Sequence, residues 1–193
     1  MTAAAAVTAP RRRDPEGRRR AILAAAVEII VEEGGPALTH RAVAARAGVA
    51  LGSTTQYFDS IDELREAALQ SLADEIDADL VVLERELLPL TTAPERCARY
   101  MREFLLDPRQ VRAALALVMA GTDDPALRAL ALRWPDHLRA ILARHIGAER
   151  ALAVVAYLDG ITVHAALSEA PVAEETIVSA IRTLMAMPVA REA

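Results

Sequence analysis

Residues 39–58, THRAVAARAGVALGSTTQYF, hold two short helical runs separated by a turn at Gly48. Thr39 suits the start of the first run, because its hydroxyl can accept a backbone N–H that the opening turn leaves without a partner. That run extends to about Ala47, and Gly48 ends it, glycine being the residue that most readily takes the left-handed conformation closing a helix. The second run covers about residues 51–58. Two short helices joined through a glycine turn make the helix-turn-helix pattern. Ala42, Val43, Ala45 and Val49 supply a small apolar seam between them, while Leu51, Thr54 and Phe58 share the face that seats the second helix. Its other face carries Gly52, Ser53, Gln56 and Tyr57, with Thr55 at the margin. Small residues let backbone approach a groove; Ser and Thr hydroxyls bond phosphates or base edges; Gln pairs with adenine; Tyr reaches a phosphate or a thymine methyl. Two short helices turning a polar face to water would show the same pattern, so the flanking sequence decides.

Upstream, Ile22, Leu23, Ala26, Val27, Ile29 and Ile30 recur at helical spacing across residues 18–33, and Gly34, Gly35 and Pro36 stop the helix. Downstream, Ser60 with Glu63 forms a capping box. It opens a long amphipathic helix whose stripe runs through Ile61, Leu64, Ala68, Leu72, Ile76, Leu80, Leu83 and Leu87 to Pro89. At about 1.5 Å per residue that helix is roughly 40 Å long. Thr92 with Glu95, Asp107 with Pro108, Asp124 with Pro125, and Pro171 mark further helix starts, and Gly121 and Gly147 lie near helix ends. Pro135 is expected to kink or split the run 125–146 just after Trp134. The pattern predicts an all-α chain of about nine helices, the last two covering about residues 148–170 and 172–187.

Composition agrees. Of 193 residues 53% are apolar but only 3% aromatic, so the core is built from Ala, Leu, Val and Ile, as in closely packed helices. The single cysteine, Cys97, excludes an internal disulfide and a Cys-rich metal site, with the cytosol as default compartment. Asp159 and Glu169 interrupt the apolar stretches before the roughly 20 residues of a membrane span, so none is expected. Residues 1–17 are Ala-rich and then basic at Arg11, Arg12 and Arg13, the reverse of a secretory signal, and read as a disordered basic tail. All 22 basic residues are Arg; residues 1–58 carry a net +3 and residues 59–193 a net −8, giving the −5 of the chain. A basic N-terminal module on an acidic body suits one-sided contact with nucleic acid. No HExxH, paired cysteines, phosphate-binding glycine loop or nucleophile elbow occurs, and neither enzyme chemistry, cofactor nor metal is predicted.

From Arg18 to Leu69 the order RRRAILAAAVEIIVEEGGPALTHRAVAARAGVALGSTTQYFDSIDELREAAL resembles the DNA-binding domain of the TetR family of bacterial transcriptional regulators. The resemblance rests on the Ile-Leu-Ala-Ala of the first helix and the glycine before the loop. It rests equally on Thr-x-x-x-Val-Ala-x-x-Ala-Gly-Val in the second helix and the aromatic-Phe end of the third. Family members usually have Tyr at the position of Thr55, a large aliphatic at Thr54 and Lys at Ile61. Ala50 replaces the usual Ser or Thr cap, a change worth about 1 kcal/mol.

The resemblance implies a tail (1–17), a DNA-binding domain (18–60) and an effector-binding and dimerisation domain (61–193). It implies DNA contacts from Thr39, His40, Arg41, Gly52, Ser53, Thr55, Gln56 and Tyr57. It further implies a cytoplasmic homodimer, bundled through its last two helices, on a palindromic stretch of double-stranded DNA. A small apolar effector is expected to release that DNA, making the protein a repressor; the alternative is a dimeric DNA-binding module with no effector. Tyr100, Phe104, Met119, Trp134, His137, Tyr157 and His164 are the candidate effector contacts, with His137 and His164 as polar selectors. Asp159 lies on a different helix face from Tyr157 and His164.

Overall fold

A computed structural model of the protein describes residues 14–87 and 93–188, with side chains for 14–78 and 93–188. Among the described residues there are nine α-helices, two 3₁₀ turns and no strand. They are α1 (Pro15–Glu33), α2 (His40–Ala47), α3 (Leu51–Tyr57), α4 (Ile61–Leu87), α5 (Pro94–Leu106), α6 (Pro108–Asp123), α7 (Arg128–Ile146), α8 (Ala148–Leu167) and α9 (Glu174–Met185).

Local chemistry sets the helix ends. Asp14 accepts the Gly17 N–H at 2.8 Å, and Pro15 takes the first helical position, where its missing N–H costs nothing. α1 therefore starts three residues earlier than Arg18, and residues 14–17 of the expected tail are its cap and first turn. Residues 1–13, with Arg11, Arg12 and Arg13, lie outside the described residues. Ser60 Oγ accepts the Glu63 N–H at 3.0 Å, and Glu63 reaches back to the Asp59 N–H at 2.6 Å. Asp107 accepts the Arg109 N–H at 2.9 Å and opens α6. Asp124 caps only a 3₁₀ turn, Pro125–Leu127, before α7 begins. Thr92 lies outside the described residues, and α5 begins at Pro94 behind Ala93, which offers no side-chain cap. Pro171 stands before an extended segment; α9 starts at Glu174.

Pro135 does not split its helix: α7 is continuous through it. Leu138, Ile141 and Leu142 anchor the helix beyond the proline, and Arg133, just before it, pairs with Asp74 (2.8 Å) and Asp77 (2.7 Å) of α4. Packing on both sides outweighs one lost backbone bond.

Two apolar cores result. One joins Ile22, Ala26 and Ile29 of α1, Val43 of α2, Phe58, and Leu64 and Leu72 of α4 with Ala113 and Leu117 of α6. The other joins Cys97 and Met101 of α5, Leu138 and Leu142 of α7, Val154 and Leu158 of α8, and Ile177 and Ile181 of α9. The first half of α4 and the middle of α6 are thus walled into the core of the helix-turn-helix unit. Within that unit Val43 and Ala44 are buried, but Ala45 faces outward one residue further round the turn. Leu51, in the first turn of α3, is 51% exposed, so Thr54 and Phe58 seat the helix without it. α8 is long and apolar enough to cross a membrane by length and composition alone; in the fold Ala151, Val154, Leu158 and Ile161 of this helix are core residues.

Candidate nucleic-acid interface and ligand cavity

Thr39 Oγ1 accepts the Ala42 N–H at 3.1 Å, and Gly48, at φ +64°, turns the chain between the two short helices. Ala50 gives α3 no side-chain cap. Thr54 is fully buried, and its Oγ1 donates to the Leu51 carbonyl at 2.7 Å. Its lone pairs then face His40 Nδ1 at 3.2 Å, an arrangement that places a proton on Nδ1. A buried hydroxyl needs these partners, and a large aliphatic at this position would leave His40 without one. Half-buried His40 therefore ties the start of α2 to α3.

Arg41, Gly52, Thr55 and Gln56 are exposed, and Ser53 and Tyr57 are half-buried. The Thr55 hydroxyl donates to the Gly52 carbonyl at 3.3 Å. Arg41 makes no ion pair among the described residues, whereas Arg46 is pinned to α1 by Glu32 and Glu33, both at 2.7 Å. The hydrogen bond to Glu32 raises the Arg46 pKa. Arg19 lies over the Phe58 ring, 5.3 Å from its centroid. Neither Arg46 nor Arg19 stands out in the sequence, because their partners are distant along the chain.

A cavity of about 780 Å³ opens between α4, α5, α6, α7 and α8. Tyr100, Phe104 and Trp134 line it, with Leu72 and Ile76 of α4, Leu117 of α6, Leu132 and Pro135 of α7, and Val163 of α8. Pro135 offers no N–H to the Ala131 carbonyl, and both residues belong to the wall. Gly121 lets α6 and α7 meet there: a Cβ at this position would fall 2.5 Å from that of Ala131. Met119, His137, Tyr157 and His164 are not in the lining. Met119 is 57% exposed, His137 faces solvent, and exposed His164 lies 3.2 Å from Ser168 Oγ. Tyr157 packs against the α5–α9 core; desolvation raises its pKa, and its buried hydroxyl has no hydrogen-bond partner among the described residues.

Sequence spacing does not reveal the polar wall of the cavity, which comprises Glu75, Asp107, Arg109, Arg128 and Asp159 among its charged groups. Arg109 bridges to Glu28 of α1 at 2.8 Å and to Glu75 of α4 at 3.4 Å, and the Glu28 hydrogen bond raises its pKa. Each such exposed pair contributes at most about 1 kcal/mol. Their importance is positional, because they join the cavity wall to the helix that carries the helix-turn-helix core. Desolvation raises the Asp159 pKa. By surface area Asp159 is exposed, which fits a carboxyl open to a confined cavity and screened from bulk water by the surrounding protein. Fully buried Cys97 is inert by the same physics, its thiol pushed up to about 12. Among the described residues no group of three His, Cys, Asp or Glu could hold a metal ion.

A helix-turn-helix seated on a helical body that encloses a cavity is the architecture of a DNA-binding transcription regulator. Residues 22–68 match the model of the bacterial regulatory proteins, tetR family. A TetR-family member, SCO1917 from Streptomyces coelicolor A3, is 33% identical over 89% of this chain and 99% of that one, with a TM-score of 0.74. The multidrug binding protein EbrR in complex with imidazole is 34% identical over 91% of this chain and 98% of that one, also at 0.74. EbrR in complex with ethidium is 33% identical over 89% and 99%, at 0.71. The chain belongs to the TetR family of transcriptional regulators. No curated protein matches it.

Proposed function

We propose that the protein is a cytoplasmic homodimeric repressor, released from an approximately palindromic operator by a mainly apolar small molecule with few charges. The observation that carries this reading is the cavity of about 780 Å³, lined by Tyr100, Phe104 and Trp134 and walled in part by α4 and α6, which also pack into the helix-turn-helix core. Solved structures of EbrR, in complex with malachite green, proflavin or ethidium, lend support, because that relative covers nearly its whole length with this chain. DNA contact would come from Thr39, Arg41, Gly52, Ser53, Thr55, Gln56 and Tyr57, with His40 positioning α3. Tyr100, Phe104 and Trp134 would bind the effector. Met119, His137, Tyr157 and His164 lose that role to the lining residues. The outward side of α8, where Leu152 is 53% and Leu167 83% exposed, together with α9, would form the dimer seam.

Ligand filling the cavity would move α4 and α6, both part of the helix-turn-helix core, and so alter the separation of the two recognition helices. Loss of register at one half-site weakens the whole dimer complex. Footprinting on the DNA upstream of the protein's own coding sequence tests the reading. The expected result is a protected palindrome; no protected site there or in a randomised DNA pool would overturn it.

A further inference from the structure

The charged groups of the cavity wall differ in what they already hold. Glu75 engages Arg109, and Asp107 accepts the Arg109 and Gln110 N–H groups at the start of α6. Arg109 is balanced by Glu28 and Glu75, and Arg128 stands exposed at the first residue of α7. Asp159 has no hydrogen bond or ion pair among the described residues, and its position in the cavity wall, partly screened from bulk water, raises its pKa. A carboxylate held this way, in a wall dominated by aliphatic and aromatic side chains, raises the free energy of the empty protein. A positive charge entering the cavity would relieve that cost, whereas a neutral or anionic group would leave or worsen it. The rings of Tyr100, Phe104 and Trp134 share the wall, and aromatic faces attract cations too.

Building on the cavity's assignment as the effector site, we propose that its ligand has an aromatic body bearing one positive charge, and that Asp159 selects for that charge. Carboxylate and rings are complementary to a delocalised or quaternary cation, which needs no hydrogen-bond donor.

The test compares methyltriphenylphosphonium, a permanent cation, with triphenylphosphine oxide, which carries the same three rings without net charge. Binding to the full chain is followed by calorimetry and by the emission of Trp134. The wild-type protein should bind the phosphonium at least about tenfold more tightly. Asp159→Asn should erase that preference, weakening the phosphonium about tenfold while leaving the oxide within about twofold, and Asp159→Glu should restore part of it. An Asp159→Asn protein that keeps full phosphonium affinity, or loses both compounds equally, overturns the proposal while the cavity reading stands. Failure of both compounds to bind the wild-type chain or to move Trp134 emission defeats the two together.

Discussion

In the helix-turn-helix half, Thr39, Gly48 and Ser60 act on backbone within a turn of themselves. In the cavity half, Tyr100, Phe104 and Trp134 come from α5 and α7 and meet only after five helices have packed. The first kind of site is encoded as a string, the second as an arrangement. Disturbing one should therefore cost operator binding directly, whereas disturbing the other should cost only the response to ligand.

The largest effect is expected at Phe58, 1% exposed and at the centre of the N-terminal core. Phe58→Ala should cost about 3–5 kcal/mol in chemical denaturation and abolish operator binding; a loss under about 1 kcal/mol would mean that α3 is seated by other contacts. Gly121→Val comes next, since its side chain meets Ala131 and the α7 backbone at Arg128. Overpacking of this kind costs about 1–3 kcal/mol. The surviving folded protein should hold operator but bind ligand poorly, and equal loss of both activities would blur the division. Smaller again, Thr54→Val and His40→Ala should each cost about 1 kcal/mol. The double variant should cost less than the two together, because both remove one hydrogen bond; additive losses would show that the pair is uncoupled.

The smallest change concerns pH. The raised Asp159 pKa means that the folded state holds this proton more tightly than the unfolded state, so a stability cost appears as pH rises above the ordinary value of 3.8. Asp159→Asn should thus raise Tm slightly at neutral pH and not at all at pH 3. Glu75, Arg109 and Arg128 face the cavity in both proteins, so the difference isolates Asp159. An equal Tm gain at both pH values would assign it to packing.

The sequence makes the all-α fold and the helix-turn-helix legible because caps, turns and the 3.6-residue period are local. Phe58 and Thr54 can be placed inward from spacing alone, and they are buried. The same rule misplaces Leu51, because a helix of two turns contacts its support along only part of its length. Thr54 was visible as a departure from the family, but its partner His40, fourteen residues away, was not. Among the cavity candidates, aromatic content points to Tyr100, Phe104 and Trp134, yet nothing along the chain separates them from Tyr157. Asp159, Arg109 and Glu75 become wall residues only through the crossing of α4, α6 and α8. Pro135 was legible as an interruption but not in its outcome, which the ion pairs of Arg133 help decide.

Trp134 is the only tryptophan of the chain and lines the cavity, so its emission reports occupancy while operator retention reports the state of the helix-turn-helix. The most direct measurement titrates one compound into the protein–operator complex and follows both signals together. If the cavity controls the DNA-binding half, any compound that saturates the Trp134 response should release the operator over the same concentration range, and operator should weaken its binding by the same factor. A saturated Trp134 response with the operator still bound at unchanged affinity would contradict the account.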